Sequence, residues 1–447
     1  MSESSSAKFP PGPPSNLIRS LFAGMQLNPL DYFTAMAQKY GDVSGMRIGN
    51  FRSFFVNHPD MIEDVLVNHA RKFHKGRILQ ANKYLFGEGL LTSEGDFWLR
   101  QRRLSQPAFH RARVSSYAAT MAEYAEQSIA TWRDGEERDI HEEMMQLALR
   151  IVGKTLFDAD VTRDAKEVGE TLDILLRIAA NFGRTVLIPL WVPTPRNLRA
   201  KLGIKRLEKV IYRIIENRRA SGRDNGDLLS ILLQAQDDDG TRMSDRQLRD
   251  ETITLFLAGH ETTANTLSWT WWLLAQNPSV EKKFHEELDG VLGGRLPTLS
   301  DLPKLVFLNH VLTESLRLYP TAWGMARLAA EEHEIAGYPV HVGYGVAFAQ
   351  WVVHRDARWF DAPLQFRPER WENGLAKQLP RFAYFPFGGG PRQCIGNTFA
   401  LMEASVVLAT IGQKFRFQLV PEHQVIPLAS ITLRPKNGIH GRLETRK

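Results

Sequence analysis

Over residues 98–318 the apolar positions of this chain recur mostly at helical spacing, and no other feature limits the possible folds as much. A large sheet needs alternation of period two, which this run lacks. Breaks at Pro193-Thr194-Pro195 and at residues 221–225, 237–240 and 293–294 divide it into several helices. Upstream, two apolar stretches flank Gly49-Asn50, the pattern of a hairpin, and a helix is predicted to start near Pro59. After Pro320 the pattern shortens to strand-like pieces at residues 334–341 and 346–349. Residues 354–391 are loop-rich and lead to a last helix after Cys394, followed by short strands. There is no internal repeat and no interdomain linker. The expectation is a mainly α fold with small β-sheets: one domain over residues 9–447, behind a flexible Ser-rich tail at residues 1–8. Phe9-Pro10-Pro11-Gly12-Pro13-Pro14 should be extended and stiff.

Composition narrows the function classes. A chain of 447 residues with 43% hydrophobic and 24% charged residues is globular. The net charge of +6 is scattered and carries no nucleic-acid-binding motif, so no nucleic acid is expected as a partner. No apolar run approaches the roughly 18 residues needed to span a bilayer; the most apolar window, residues 252–275, holds His260 and Glu261 in its middle. Met1-Ser2-Glu3-Ser4-Ser5-Ser6-Ala7 lacks a basic n-region and an apolar h-region, so no secretory signal is expected. One cysteine excludes an internal disulfide and fits a reducing cytoplasm.

A lone cysteine is ordinarily a buried, inert small side chain. The neighbours of Cys394 reverse that expectation. Phe387-Gly388-Gly389-Gly390-Pro391-Arg392-Gln393-Cys394-Ile395-Gly396 surrounds the sulfur with glycines, which would let a planar macrocycle lie almost on the backbone. Backbone N–H groups aimed at the sulfur would stabilise a thiolate. Arg392 brings a cation suited to a cofactor carboxylate. The glycines fit neither GxGxxG nor GxxxxGK[ST], so a phosphate loop is not the reading.

This segment resembles the Phe-x-x-Gly-x-Arg-x-Cys-x-Gly signature of cytochrome P450 monooxygenases, and further matches extend over nearly the whole chain. The resemblance implies a P450 fold with haem b between the distal helix near Thr262 and the cysteine loop near Cys394. Cys394 would be the axial ligand of the iron, a thiolate that pushes electron density toward it; Phe387 and Gly396 would lie at the cofactor. Ala258-Gly259-His260-Glu261-Thr262-Thr263 resembles the family's oxygen-activating motif. There Ala258 would contact the cofactor, Glu261 would relay protons and Thr262 would hold dioxygen and its waters. Read alone, a carboxylate in mid-helix ordinarily reaches solvent and a threonine ordinarily bonds back to its own helix. His260-Glu261 also opens a zincin-like pattern, but Ala264 stands where the second histidine must be.

Three further resemblances complete the site. Trp98 and Arg102 match the Trp-x-x-x-Arg that faces a haem propionate, and Arg327 matches another propionate-binding arginine. Glu314 and Arg317 match Glu-x-x-Arg and, with Arg370, would form a buried structural triad behind the cysteine loop. The family's substrate-contacting regions fall at residues 78–91, 181–191, 255–258, 321–325 and 429–433, which nominates Leu255, Thr321, Ala322, Trp323 and Ile431 for an apolar pocket. Trp323 is bulky enough to narrow it near the iron.

The implied activity is insertion of one oxygen atom from O2 into a fatty acid, terpenoid, steroid or similar lipid. Electrons would come from NAD(P)H through a separate ferredoxin and its reductase, or a flavodoxin, because no flavin or ferredoxin domain and no membrane anchor is expected. Arg100, Arg103 and Arg392 are candidates for docking an acidic ferredoxin. A monomeric, soluble, cytoplasmic enzyme of bacterial type follows. A peroxide-driven peroxygenase on the same fold and a non-catalytic haem ligand-binding protein are the alternatives; the Glu261-Thr262 pair argues against both.

Overall fold

The structure is a computed structural model that describes residues 9–14, 28–159, 171, 192–236 and 240–446. The tail at residues 1–8, the pocket segment 181–191 and residues 237–239 of one expected break lie outside the described residues. The chain forms two compact units. The first is Met1–Ala81, Arg317–Gln365 and Asn373–Cys394; the second is Asn82–Leu316, Phe366–Glu372 and Ile395–Lys447.

In the first unit, helix α1 (Pro29–Tyr40) starts at Asn28, whose side chain accepts the Leu30 amide, and precedes strands β1 (Val43–Ile48) and β2 (Phe51–Val56). The expected hairpin is present, with Ile48 opposite Phe51 and Gly49 at φ 56° in the turn. Helix α2 (Pro59–Glu63) follows, with proline in its first turn as expected. Strands β3 (Phe73–Lys75), β5 (Met325–Ala329) and β8 (Gly345–Phe348) extend the sheet in the order β1-β2-β8-β5-β3. A core of Phe54, Phe73, Val346, Phe348, Phe382 and Phe385 closes one face. The strand-like piece at 334–341 is a hairpin, β6 (His333–Ile335) and β7 (Tyr338–Val340), turning at Ala336 and Gly337. Both turn residues have positive φ, and alanine there gives no sequence signal of a turn.

The second unit is helical, as the periodicity required. Helix α3 (Gly95–Ser105) is followed by α4 (Ala118–Ile129) and, after the short strand β4 (Glu137–Asp139), by α5 (Ile140–Phe157) and α6 (Pro195–Ser221). Its central element is α7 (Asp245–Gln276), 32 residues long, opened by a reciprocal cap between Ser244 and Gln247. Helices α8 (Pro278–Leu292) and α9 (Val306–Leu318) follow, then α10 (Asn397–Lys414) after Cys394. Strands β9 (Phe415–Leu419) and β12 (His440–Thr445) sheet with β4, while β10 (Pro427–Ala429) and β11 (Leu433–Pro435) form a hairpin. The Trp269 indole ties α7 to this hairpin by donating to the Leu433 carbonyl at 3.0 Å.

Candidate active site

Most cysteines are buried, yet Cys394 is exposed. Its loop is closed by the Cys394 amide donating to the Phe387 carbonyl at 3.0 Å, with the Gly388 amide on Phe385 at 2.9 Å. Gly388 and Gly390 adopt φ 70° and 69°, a conformation open chiefly to glycine. A Cβ on Gly390 would sit 1.9 Å from the Leu66 carbonyl oxygen, and one on Gly389 would sit 2.4 Å from the Phe382 ring. Packing against the chain itself therefore favours glycine at both positions, a reason separate from the approach of a cofactor plane. Gly396 is different. A Cβ there would meet only the Phe109 ring, at 3.6 Å, an ordinary contact that leaves room beside it. Helix α10 starts at Asn397, with Gly396 as its N-cap residue and no side-chain cap.

The candidate cations of the first unit are held by backbone. Arg392 Nη1 donates to the Phe73 carbonyl at 2.7 Å, and Arg327, buried on β5, donates to Ala326 at 3.0 Å. Arg327 lies opposite the buried Lys75 of β3. Thr321 is buried and Ala322 half-buried; Trp323 packs on Phe33 with ring centroids 6.3 Å apart.

In the second unit α7 carries the other candidates. Leu255, Phe256, Leu257, His260, Glu261 and Thr263 are buried, while Ala258 is exposed and Gly259 and Thr262 are half-buried. The helix thus opens on the side of Ala258 and Thr262, midway along an otherwise buried run. Thr262 Oγ1 donates to the Ala258 carbonyl at 2.6 Å, the ordinary back-bond, and its two lone pairs remain oriented by that bond. Glu261 turns toward the β10–β11 hairpin. Its Oε1 accepts from the Thr432 hydroxyl at 2.7 Å and lies 4.0 Å from Arg434 Nη1, and Asn265 donates to the same hydroxyl at 3.2 Å. Thr432 falls in the expected substrate-contacting segment 429–433, with no role assigned to it there, and Arg434 lies just beyond that segment. Ile431, half-buried, immediately precedes Thr432.

His260 is the ordinary helix residue expected. Burial, aided by nearby His141, holds its imidazole neutral, pushed down to about 3. Glu403 on α10 is fully buried, and burial pushes its carboxyl well above the usual range.

Trp98, nearly buried, and Arg102 lie one turn apart on α3, so they share a face. Arg102 Nε donates to Gln106 at 3.1 Å, and with Arg103, His110 and Arg113 it lines an open groove of about 830 Å³. Glu314 on α9 is fully buried: Oε1 accepts from Arg370 Nε at 2.8 Å and the Arg367 amide at 3.0 Å, and Oε2 accepts from the Trp371 indole at 2.9 Å. Trp371 is a partner that the sequence reading did not assign. Arg317, also buried, donates to the carbonyls of His354 and Pro363, each at 2.7 Å. That arginine fastens the backbone of residues 354–365.

In the first unit a soft thiol on a turn, with the guanidinium groups of Arg327 and Arg392, is a donor set whose chemistry fits an iron cofactor with acidic arms. The model of the family described as Cytochrome P450 matches residues 10–441. Cyclooctat-9-en-7-ol 5-monooxygenase of Streptomyces melanosporofaciens is 36% identical over 87% of this chain and 85% of its own. Cyclooctatin synthase of the same organism is 37% identical over 92% and 90%, and pentalenene oxygenase of Streptomyces avermitilis is 34% identical over 94% of each. The chain belongs to the cytochrome P450 family and is a haem-dependent monooxygenase of a hydrophobic small molecule.

Proposed function

We propose that this chain hydroxylates a terpenoid, with Cys394 as the axial ligand of its haem, and the exposed thiol of Cys394 on its closed turn carries the reading. The substrate class is taken from the relatives, whose names specify a cyclooctat-9-en-7-ol and pentalenene. Haem, when bound, supplies the redox chemistry that activates O2. Trp98, Arg102, Arg327 and Arg392 would hold its carboxylates, Phe387, Gly396 and Ala258 would lie against it, and Glu314, Arg317 and Arg370 would brace the fold through their buried bonds. Leu255 and Ile431 in the second unit, and Thr321, Ala322 and Trp323 in the first, are the residues that would line an apolar substrate pocket and exclude water from it.

The overall change takes R–H, O2, two electrons and two protons to R–OH and water. Thr262, its hydroxyl hydrogen held by the Ala258 carbonyl, accepts from and orients a proton-carrying water, and Glu261, held by Thr432 and Arg434, supplies the protons. Electrons come from NAD(P)H through a separate ferredoxin and reductase in the cytoplasm. Among the described residues no helix is long and apolar enough to cross a membrane.

The test supplies 18O2, NAD(P)H and a ferredoxin–reductase pair with panels of cyclic terpenes and fatty acids. One 18O atom in a hydroxylated terpene is expected. Label entering from H2 18O2 but not from 18O2 would mark a peroxygenase, absence of turnover with tight binding would mark a passive binder, and preference for fatty acids would overturn the substrate class.

A further inference from the structure

Away from the cysteine, the first unit gathers Asp64, His69 and His333. His69 Nδ1 lies 2.7 Å from Asp64 Oδ1, and His333 Nε2 lies 2.7 Å from Asp64 Oδ2. The three ligand atoms are all within 4.8 Å of one another, and the two imidazole rings stand with centroids 4.6 Å apart. Side-chain exposure is graded, from 8% at His333 through 31% at Asp64 to 41% at His69. The inner ligand is thus fixed while the outer one opens to solvent.

The backbone that joins the first two is unusual. Asp64–Asn68 is a π-helical turn, closed by the His69 amide donating to the Asp64 carbonyl at 2.8 Å. Had α2 continued as an α-helix, residues five apart would have pointed about 140° away from each other. The wider π turn brings Asp64 and His69 to one side. Such turns are rare and concentrate at functional sites. Packing alone gives no reason for this one to set a carboxylate against an imidazole, with a second imidazole arriving from β6.

We propose that Asp64, His69 and His333 form a site for one divalent transition-metal ion, best suited to zinc. Two neutral imidazoles and a carboxylate supply three protein ligands and leave a fourth, outward position for water. Tetrahedral ligands at zinc distances stand about 3.3 Å apart, and the three ligand atoms, all within 4.8 Å of one another, reach that spacing by a shift of the half-exposed carboxylate and the outer imidazole. Binding moves each imidazole proton to the ring nitrogen facing away from the ion.

The ion would act on the cysteine loop through contacts already described. Leu66, in the same π turn, is the residue against which Gly390 packs. Phe73 stands edge-on to His333, with centroids 5.4 Å apart, and its carbonyl holds Arg392. Fixing Asp64, His69 and His333 to one ion therefore stiffens the surface on which residues 390–392 rest.

The experiment uses the full-length, untagged, haem-loaded protein, stripped with EDTA and dialysed against Zn2+, with bound metal counted by atomic emission and affinity measured by calorimetry. One equivalent of zinc beyond the haem iron is expected, with a raised melting temperature and slower haem loss. His69→Gln, at the exposed ligand, preserves a hydrogen bond to Asp64 but not the metal bond. It should weaken zinc binding by more than the roughly 10–100-fold that loss of a mere supporting partner causes, and abolish the thermal shift. His333→Gln should do the same. Failure of the wild-type protein to take up a stoichiometric zinc ion, or uptake unchanged in His69→Gln, overturns the site and leaves a hydrogen-bonded carboxylate between two histidines.

Discussion

Thr262 donates its hydroxyl hydrogen to Ala258, so the oxygen is left to accept from a water on the open side of α7. Thr262→Ala removes that acceptor along with a methyl group. The stability cost should be small, about 1–2 kcal/mol. Positioned proton transfer contributes roughly 10²–10⁴-fold, so the chemistry should suffer more. The expected signature is NAD(P)H still consumed while hydrogen peroxide replaces product. Product per NAD(P)H, with peroxide counted in parallel, checks this; an unchanged ratio would make Thr262 only a helix threonine. Glu261→Gln should instead slow oxygen consumption. Single residues also show where sequence reasoning stopped. Glu261 and Thr262 were legible from their motif, whereas Thr432 and Arg434 meet Glu261 only through folding, more than 160 positions along the chain. Gly390 was legible as a necessary glycine, but its reason, the Leu66 carbonyl, was not.

Among the elements, α9 owes its place to Glu314, whose carboxylate accepts from Arg370, the Arg367 amide and Trp371 in a buried site. Glu314→Ala takes this acceptor from three donors, one of them a buried guanidinium, so a loss of roughly 3–5 kcal/mol is expected, read from chemical denaturation together with loss of bound haem. Glu314→Gln retains acceptor capacity and should lose less. Helix α7 carries a pH signature in His260. Its folded pKa of about 3 lies below the ordinary 6.5, so above pH 6.5 both folded and unfolded forms are neutral and stability is full. As pH falls from 6.5 toward 3 the unfolded chain takes up a proton that the folded one refuses, and stability declines. His260→Leu should flatten that part of the melting-temperature profile; an unchanged slope would mean that other groups set it. The helices were legible because their apolar spacing is long and regular. The β6–β7 hairpin was read as a single piece because Ala336 lacks the turn chemistry its conformation demands.

For the molecule as a whole, the +6 charge and the arginine-lined groove of the second unit fit an acidic electron carrier. Arg392 was a candidate for that docking, but its guanidinium is engaged with the Phe73 carbonyl, whereas Arg103 and Arg113 are exposed. Reduction by a ferredoxin should slow steeply with added salt, because exposed charges are screened beyond about 8–10 Å. Arg103→Glu should slow it further at low salt without altering substrate affinity; a salt-insensitive rate would contradict this. The family was legible because its motifs are local in sequence. The division into two units was not, because the chain interleaves them and no linker marks the crossings. The central claim is that Cys394 is the thiolate ligand of the haem, and the absorption spectrum of the reduced, carbon monoxide-bound protein tests it most directly. The wild-type protein should show the red-shifted Soret band of thiolate ligation, and Cys394→His, still holding haem, should lose it. A thiolate-type band surviving in Cys394→His, or absent from the haem-loaded wild type, would contradict the assignment.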